Sequence, residues 1–375
     1  MAVSLRTTSH KGHLQAGLIA ATIVAAAAAV LPIVFAIAGG IAAPGSSGTA
    51  FATAPPGQYA VVSRTEGTED IIAVAPLTDP ANAREVTRVK HLNGFAATGA
   101  VSPDGRQLAV VAPDGGTAAH PFGSLLAIAL ESGKQTRLLS GIDPQQTPVW
   151  ANDSASIVVT APSIDSSGMP GVRFVSVAVS GGEQRTLYQP GPVLGAYAVG
   201  FDPAGRFVAV VIDGRGSTLV RAETELQLLS TQITRDWRLS PDGRQIAFIE
   251  SDLNGGLHYV PRVAVLGHPV TGEAQVASPG QALGTAWKPG SDVPTFGRED
   301  SGTSAGSANA QVVAGPGHTG IDVPLGYSRD GRGLVVNHWS GSSFGAPGKV
   351  TLEVVADGAR SSLAAYGKFL GWAQR

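Results

Sequence analysis

From Gln58 to the C-terminus, short apolar runs alternate with clusters of Gly, Pro, Ser and Asp. One set reads Tyr59-Ala-Val-Val62, Leu108-Ala-Val-Val111, Ile157-Val-Val159, Phe207-Val-Ala-Val-Val211, Ile246-Ala-Phe-Ile249 and Leu334-Val-Val336. A second set follows further on: Ile71-Ile-Ala-Val74, Ser124-Leu-Leu-Ala-Ile128, Phe174-Val-Ser-Val177, Arg262-Val-Ala-Val265 and Val350-Thr-Leu-Glu-Val354. Short β-rich runs at even spacing, bounded by Gly/Pro turns, predict an all-β fold.

One turn recurs between the strands. It is clearest in Ser102-Pro-Asp-Gly-Arg-Gln-Leu-Ala-Val110 and returns in Ser240-Pro-Asp-Gly-Arg-Gln-Ile-Ala-Phe248. Looser copies are Phe201-Asp-Pro-Ala-Gly-Arg-Phe-Val-Ala-Val210 and Tyr327-Ser-Arg-Asp-Gly-Arg-Gly-Leu-Val-Val336. Val149-Trp-Ala-Asn-Asp-Ser-Ala-Ser-Ile-Val158 and Ala286-Trp-Lys-Pro-Gly-Ser-Asp-Val-Pro294 are degenerate. Pro103 pre-sets the first central φ, Asp104 tolerates the second, and Gly105 accepts the positive φ that closes a hairpin. The closing residues are Gly57, Gly105, Ser154, Gly205, Gly243, Ser291 and Gly331, spaced 38 to 51 residues apart. That interval suits one four-stranded blade, and radial repetition protects the sheet edges. Seven turns predict a seven-bladed β-propeller, with six blades as the alternative if the unit around Ser291 is not a blade. Pro294 falls where a strand should run and makes that unit irregular.

The first unit begins at its turn and so lacks its innermost strand. The tail Phe369-Leu-Gly-Trp-Ala-Gln-Arg375 matches the strand that precedes a turn, as in Pro148-Val-Trp150, Thr285-Ala-Trp287 and Leu325-Gly-Tyr327. Phe369 to Trp372 should therefore pair with Gln58 to Val62 and close the ring. Trp150, Trp287 and Trp372 end inner strands, where they pack between blades, and Trp237 reads as their counterpart.

The Ser-Pro-Asp-Gly-Arg-Gln-Leu/Ile-Ala repeats are similar to those of TolB-like β-propellers. They also resemble the WD-like propeller repeats that accompany prolyl oligopeptidases. The resemblance covers nearly everything after residue 57. It implies the fold and a preference for peptides, proteins or cell-envelope components, not a reaction. In place of TolB's small α/β domain, this chain has an apolar segment and a linker.

That apolar segment changes the expected location. No charged side chain occurs between Lys11 and Arg64, and residues 18–37 are apolar except for Thr22 and Pro32. The length suits a bilayer-spanning helix, and Arg6 and Lys11 place the N-terminus in the cytoplasm. The expected organisation is a cytoplasmic tail (1–13), a transmembrane or signal-anchor helix (14–38), a flexible Gly/Ala/Ser/Pro linker (39–57) and a propeller (58–375). This predicts a single-pass membrane protein with an extracytoplasmic propeller. The alternative is a secreted protein cleaved near Ala38.

Composition narrows the function. Of 375 residues, 43% are hydrophobic and 14% charged, with 49 Gly and 25 Pro, which suits a turn-rich chain with a large core. A formal net charge of −2 argues against nucleic-acid binding. The absence of cysteine excludes disulfides, a thiolate nucleophile, thiolate zinc sites and a lipid anchor on an N-terminal Cys.

Several motifs match only by letter. Gly302-Thr-Ser-Ala-Gly306 and Gly341-Ser-Ser-Phe-Gly345 fit the nucleophile-elbow pattern but lack its strand–turn–helix context. Gly315-Pro-Gly-His-Thr-Gly320 fits a dinucleotide pattern, yet Ile321-Asp-Val-Pro324 cannot open a useful helix. Asn152-Asp-Ser154 is a glycosylation sequon by letters alone. The eight histidines show no metal-ligand spacing, and no cofactor is expected.

If strands a to d run outward in each blade, the b–c and d–a loops emerge opposite the repeated turns. The b–c loops vary most, and variable polar loops on a rigid scaffold are where binding concentrates. The candidate binding residues there are Arg64, Asp70, His120, Asp213, Arg215, Asp252, Arg298 and His338. The expected function is a non-enzymatic, monomeric module that binds a protein, peptide or envelope component. The alternative is a hydrolase or lactonase in the propeller mouth, drawing on Glu66, Glu69, Asp70, Asp213, Asp252, Glu299 and Asp300. That chemistry requires the carboxylates to converge.

Overall fold

The repeated turn folds around its own polar side chains. Ser102 N–H donates to the Gln107 carbonyl, and Gly105 N–H donates to that of Ser102, both at 2.8 Å. Gly105 takes φ 75°, in the left-handed region that a Cβ disfavours. The Ser102 hydroxyl donates to Asp104 (2.5 Å) and accepts from Gln107 N–H (3.0 Å), while Asp104 accepts from Arg106 N–H (3.0 Å). Ser240–Asp242 and Ser328–Asp330 repeat this arrangement. Ser and Asp recur because each satisfies backbone donors that a turn leaves open. The hydroxyls of Ser240 and Ser328 hold the carboxyls of Asp242 and Asp330 below the usual carboxylate range. In the degenerate copy, Ser154 itself takes φ 61°, and its hydroxyl accepts from Asp104 N–H in the preceding turn (3.1 Å).

The computed structural model describes residues 51–164, 168–221, 225–254, 256–267, 275–276, 280–299, 311–312 and 319–375. Among them, the only helix is a 3-10 turn at Pro80–Asn82. The chain opens with β1 (Gln58–Glu66), β2 (Glu69–Pro76) and β3 (Arg84–Lys90). The second blade is β4 (Thr98–Val101), β5 (Gln107–Gly116), β6 (Pro121–Ala129) and β7 (Gln135–Ile142). The third is β8 (Val149–Trp150), β9 (Ser156–Ile164), β10 (Pro170–Ala178) and β11 (Gln184–Tyr188). The fourth is β12 (Gly195–Phe201), β13 (Phe207–Asp213), β14 (Gly216–Arg221) and β15 (Glu225–Ser230). The fifth is β16 (Ile233–Leu239), β17 (Gln245–Asp252), β18 (His258–Val265) and β19 (Gln275–Val276). A three-stranded sheet follows: β20 (Ala282–Trp287), β21 (Pro294–Arg298) and β22 (Gln311–Val312). The last blade is β23 (Ile321–Tyr327), β24 (Gly333–Trp339), β25 (Val350–Ala356) and β26 (Ala359–Ser362). Finally β27 (Lys368–Gln374) returns to β1 and completes the first blade in the order β27-β1-β2-β3.

The expectation of seven blades is corrected to six complete four-stranded blades. The unit around Ser291 is not one. Among the described residues its sheet holds three strands, and β21 pairs with β22 in parallel over two residues, whereas every pair in the complete blades is antiparallel. Pro294, at the start of β21, has no N–H to give to a ladder.

The membrane anchor is also not carried forward. Residues 18–37 lie outside the described residues, and among the described residues no helix is long and apolar enough to cross a membrane. The single-pass membrane location, which rested on that helix, is corrected with it. Within the stretch read as a linker, Phe51 and Ala54 are buried, and Phe51 meets the Tyr59 ring edge-on at 5.2 Å.

The core lies between neighbouring sheets. Second strands are apolar on both faces because each blade is covered on both sides. Val61 packs with Leu108 and Val110 of the second blade, while Val62 packs with Val335 and Val354 of the last. Each such burial contributes about 1.5–3 kcal/mol.

Ring closure follows the expected register. Gln58 pairs with Gln374, Ala60 with Trp372 and Val62 with Phe369. The inner-strand tryptophans also bond to the preceding sheet. The indole N–H of Trp150 donates to Ala100 O (2.7 Å), that of Trp287 to Arg238 O (3.0 Å) and that of Trp372 to Gly326 O (3.1 Å). Trp237 differs. It sits two residues earlier relative to its turn, beside a register shift and the left-handed Asp236, and its N–H stays within β16, donating to Thr234 (2.8 Å).

Candidate functional site: the loop face opposite the repeated turns

Strand alternation places the β1–β2, β5–β6, β9–β10, β13–β14, β17–β18 and β24–β25 hairpins on one face, together with the starts of the innermost strands. The eight candidates are spread around this face over every sheet but the third blade's and do not form one constellation. Asp213 is held by Arg215 (2.7 Å) in its own hairpin, and Arg215 keeps its carboxyl below the usual range. Asp252 accepts from the backbone (2.9 Å) and side-chain (2.8 Å) nitrogens of Asn254. His120 is exposed in a turn closed by bonds between its backbone and that of Thr117. Arg64 pairs with Glu66 (2.9 Å) and lies over the Tyr366 ring at 5.6 Å.

Three candidates are structural rather than solvent-facing. Asp70 is fully buried; it accepts from Thr65 Oγ1 and Ala97 N–H, both at 2.5 Å. Arg298, at the end of β21, is buried. His338 Nδ1 lies 2.9 Å from Asp322, whose carboxylate also takes a two-pronged bond from Arg360 (2.7 and 2.8 Å).

Sequence reading missed the groups around Asp70. His91 Nε2 lies 3.8 Å from it, and Lys368 at the start of β27 donates to Ala97 O (2.8 Å). Burial pushes the Lys368 ammonium pKa down, and the nearby Asp70 opposes that shift. Asp143, which follows β7, has its carboxyl pushed up by burial against a bond from Gln145 N–H. Also missed was an aromatic strap. The β24–β25 loop crosses the three-stranded sheet, and Phe344 sits edge-on between Trp339 (5.9 Å) and Tyr259 of the fifth blade (6.0 Å). Glu299 fixes it by accepting from Phe344 N–H (2.9 Å) and the Gln281 amide (3.1 Å). Aromatic residues in successive hairpins were the available signal.

The elbow-like sequence Gly341–Gly345 lies in this loop, where Ser343 bridges to Ala346 with no following helix. The other elbow-like sequence and Asp300 lie outside the described residues. Among the described residues, no three histidine, aspartate or glutamate side chains come together as a metal site.

The apolar surface is unevenly placed. Among the described residues, nine large hydrophobic side chains are exposed. Six of them, Phe122, Ile164, Met169, Leu194, Leu253 and Leu257, belong to this loop face. Leu226, Leu228 and Val265 lie on outer parts of the fourth and fifth blades, and none lies in a repeated turn.

No family model matches the sequence, and no curated protein matches it. Solved structures do. TolB from Acinetobacter baumannii is 15% identical, with 85% of this chain and 67% of that chain covered, at a TM-score of 0.51. Prolyl oligopeptidase B from Galerina marginata is 13% identical over 84% of this chain and 50% of its own, at 0.51. The propeller domain of the Trilobed protease from Pyrococcus furiosus, described as having an open velcro topology, is 11% identical over 82% of this chain and 94% of its own, at 0.50. Identity this low shows the fold alone: the chain is similar to TolB-like and peptidase-associated propellers, with a ring that β27 closes.

Proposed function

We propose that this propeller is a binding module that takes a protein or peptide segment on the face of its b–c and d–a loops. The observation that carries this reading is the concentration of exposed apolar side chains there. Apolar surface gathered on one face and rimmed by polar groups is a mark of interaction sites. The charged candidates Arg64, His120, Arg215 and Asp252 supply that rim. Paired charges at a rim favour specificity and association rate over affinity.

A photocrosslinking amino acid placed singly at Ile164, Leu253 or Leu257, and at Asp104 or Asp242 on the opposite face, tests this in cells. Adducts with the same partner, identified by mass spectrometry, are expected from the loop-face positions and not from the turns. Equal labelling from both faces, or none from the loop face, overturns the reading.

A further inference from the structure

The third and fifth blades each place an arginine of the third strand diagonally across from a side chain of the second strand. In the fifth, Arg262 on β18 lies opposite Phe248 on β17, and Glu250 stands two residues further toward the loop face. Arg262 and Glu250 form an ion pair at 2.7 Å, and Ser230 donates to the same carboxylate. In the third blade, Arg173 on β10 lies opposite Ala161 on β9. Ser163 stands two residues further toward the loop face, in the same local relation to Arg173 as Glu250 has to Arg262, although both lie two positions further from the repeated turn than that pair. Residues two apart on a strand share a face, so Ser163 and Arg173 stand together as Glu250 and Arg262 do. In the third blade a hydroxyl stands diagonal to the arginine, where in the fifth a carboxylate does.

Among the described residues, Arg173 makes no ion pair, whereas Arg137, Arg262 and Arg360 in other blades are all paired to carboxylates. Arg173 Nε and Ser163 Oγ are buried without a hydrogen-bond partner. Both border a cavity of about 420 Å³ lined by Pro162, Ser163, Ile164, Arg173 and Gln189. Below it, Ala161, Val175 and Val177 pack against Val111 and Leu125 of the second blade. Two of the exposed apolar side chains, Ile164 (74% exposed) and Met169 (58%), belong to this same hairpin.

We propose that this cavity is a carboxylate-binding site, in which a ligand supplies the group that Glu250 supplies to Arg262. An arginine fork binds carboxylate by two parallel bonds, and an unpaired buried donor is costly until an acceptor arrives. The adjoining apolar side chains select a carboxylate carried beside an apolar group. Resting on the binding reading above, this makes the ligand a peptide whose terminal or side-chain carboxylate neighbours an apolar residue.

Fluorescence anisotropy of the full chain tests this with N-terminally labelled Ala-Ala-Leu as free acid, the same peptide as amide, and labelled Ala-Glu-Leu-amide. The free acid is expected to bind at least tenfold more tightly than the Ala-Ala-Leu amide. Binding of Ala-Glu-Leu-amide would assign the site to side-chain carboxylates instead. Arg173→Gln should weaken carboxylate binding at least tenfold. Ser163→Glu, which would place a carboxylate diagonal to Arg173 as Glu250 is to Arg262, should abolish it while raising the melting temperature. This second variant keeps the test open should the first fold poorly. Equal binding of acid and Ala-Ala-Leu amide, binding unchanged by Ser163→Glu, or no binding of any of the three peptides overturns the site. If crosslinks persist at Leu257 while all three peptides fail to bind, the site falls and the face reading stands. Carboxylate-dependent binding without crosslinks from the face gives the reverse.

Discussion

The first blade and the three-stranded sheet both have a tryptophan on the inner strand, Trp372 and Trp287, and end differently. The first blade joins residues from the two ends of the described chain: β1 finds β27 across the ring, and every strand gains an antiparallel partner. The three-stranded sheet is local, and among the described residues its outermost pairing is a two-residue parallel rung. Yet all five residues of β21 are buried, Phe296 and Arg298 among them. Burial of β21 is therefore achieved by its neighbours on either face. Neighbouring sheets cover the faces of a blade, while outer strands only pair its edge. What a propeller cannot omit is an inner strand, because that strand touches both neighbours and the closure of the ring.

This contrast can be broken. Deleting residues 368–375 removes an inner strand and should cost most of the roughly 5–15 kcal/mol by which such domains are stable. The expected readout is loss of a cooperative melting transition and rapid proteolysis; a truncated chain that melts normally would refute the closure. Trp372→Ala should destabilise by about 3–5 kcal/mol in urea unfolding, since it removes a large buried ring and the bond to Gly326. Trp287→Ala tests whether the three-stranded sheet matters equally. A similar loss would mean that inner strands count alike whatever their outer edges. Gly297→Ala is smaller. Its Cβ would run into the backbone of Asp322 and Val323, so the sheet would have to shift from the last blade, at about 1–3 kcal/mol.

The smallest effect is acidification. Asp242 and Asp330 have folded pKa values below their unfolded ones. Their contribution is complete above the unfolded value of about 3.9 and is lost as pH falls through the lower folded value. Melting followed downward from pH 5 should show stability falling below about pH 4. Ser240→Ala and Ser328→Ala should flatten that fall, because the hydroxyls are the main cause of the shift.

Much of this was legible in the chain because it rests on local chemistry. Ser102, Asp104 and Gly105 form their turn from bonds within six residues, so the motif announces the hairpin wherever it recurs. The tail could be matched to inner strands because Trp372 occupies the position of Trp150 and Trp287. The misreadings arose where a neighbour decided. Trp237 looked equivalent until the shift at Asp236 moved it along the strand. Asp70 and Arg298 looked like solvent-facing loop charges, but their strands end beneath other strands.

The sequence by itself determined the all-β class, the turn chemistry and the return of the C-terminal strand to the first blade. Each depends on side chains acting on nearby backbone, or on one short pattern matching another. Tertiary structure alone decided how many blades are complete, which charges are buried, and that Arg173 faces Ser163 where Arg262 faces Glu250. Those outcomes depend on register between strands and on packing between blades. Both are set by contacts far apart in sequence, and no local pattern encodes them.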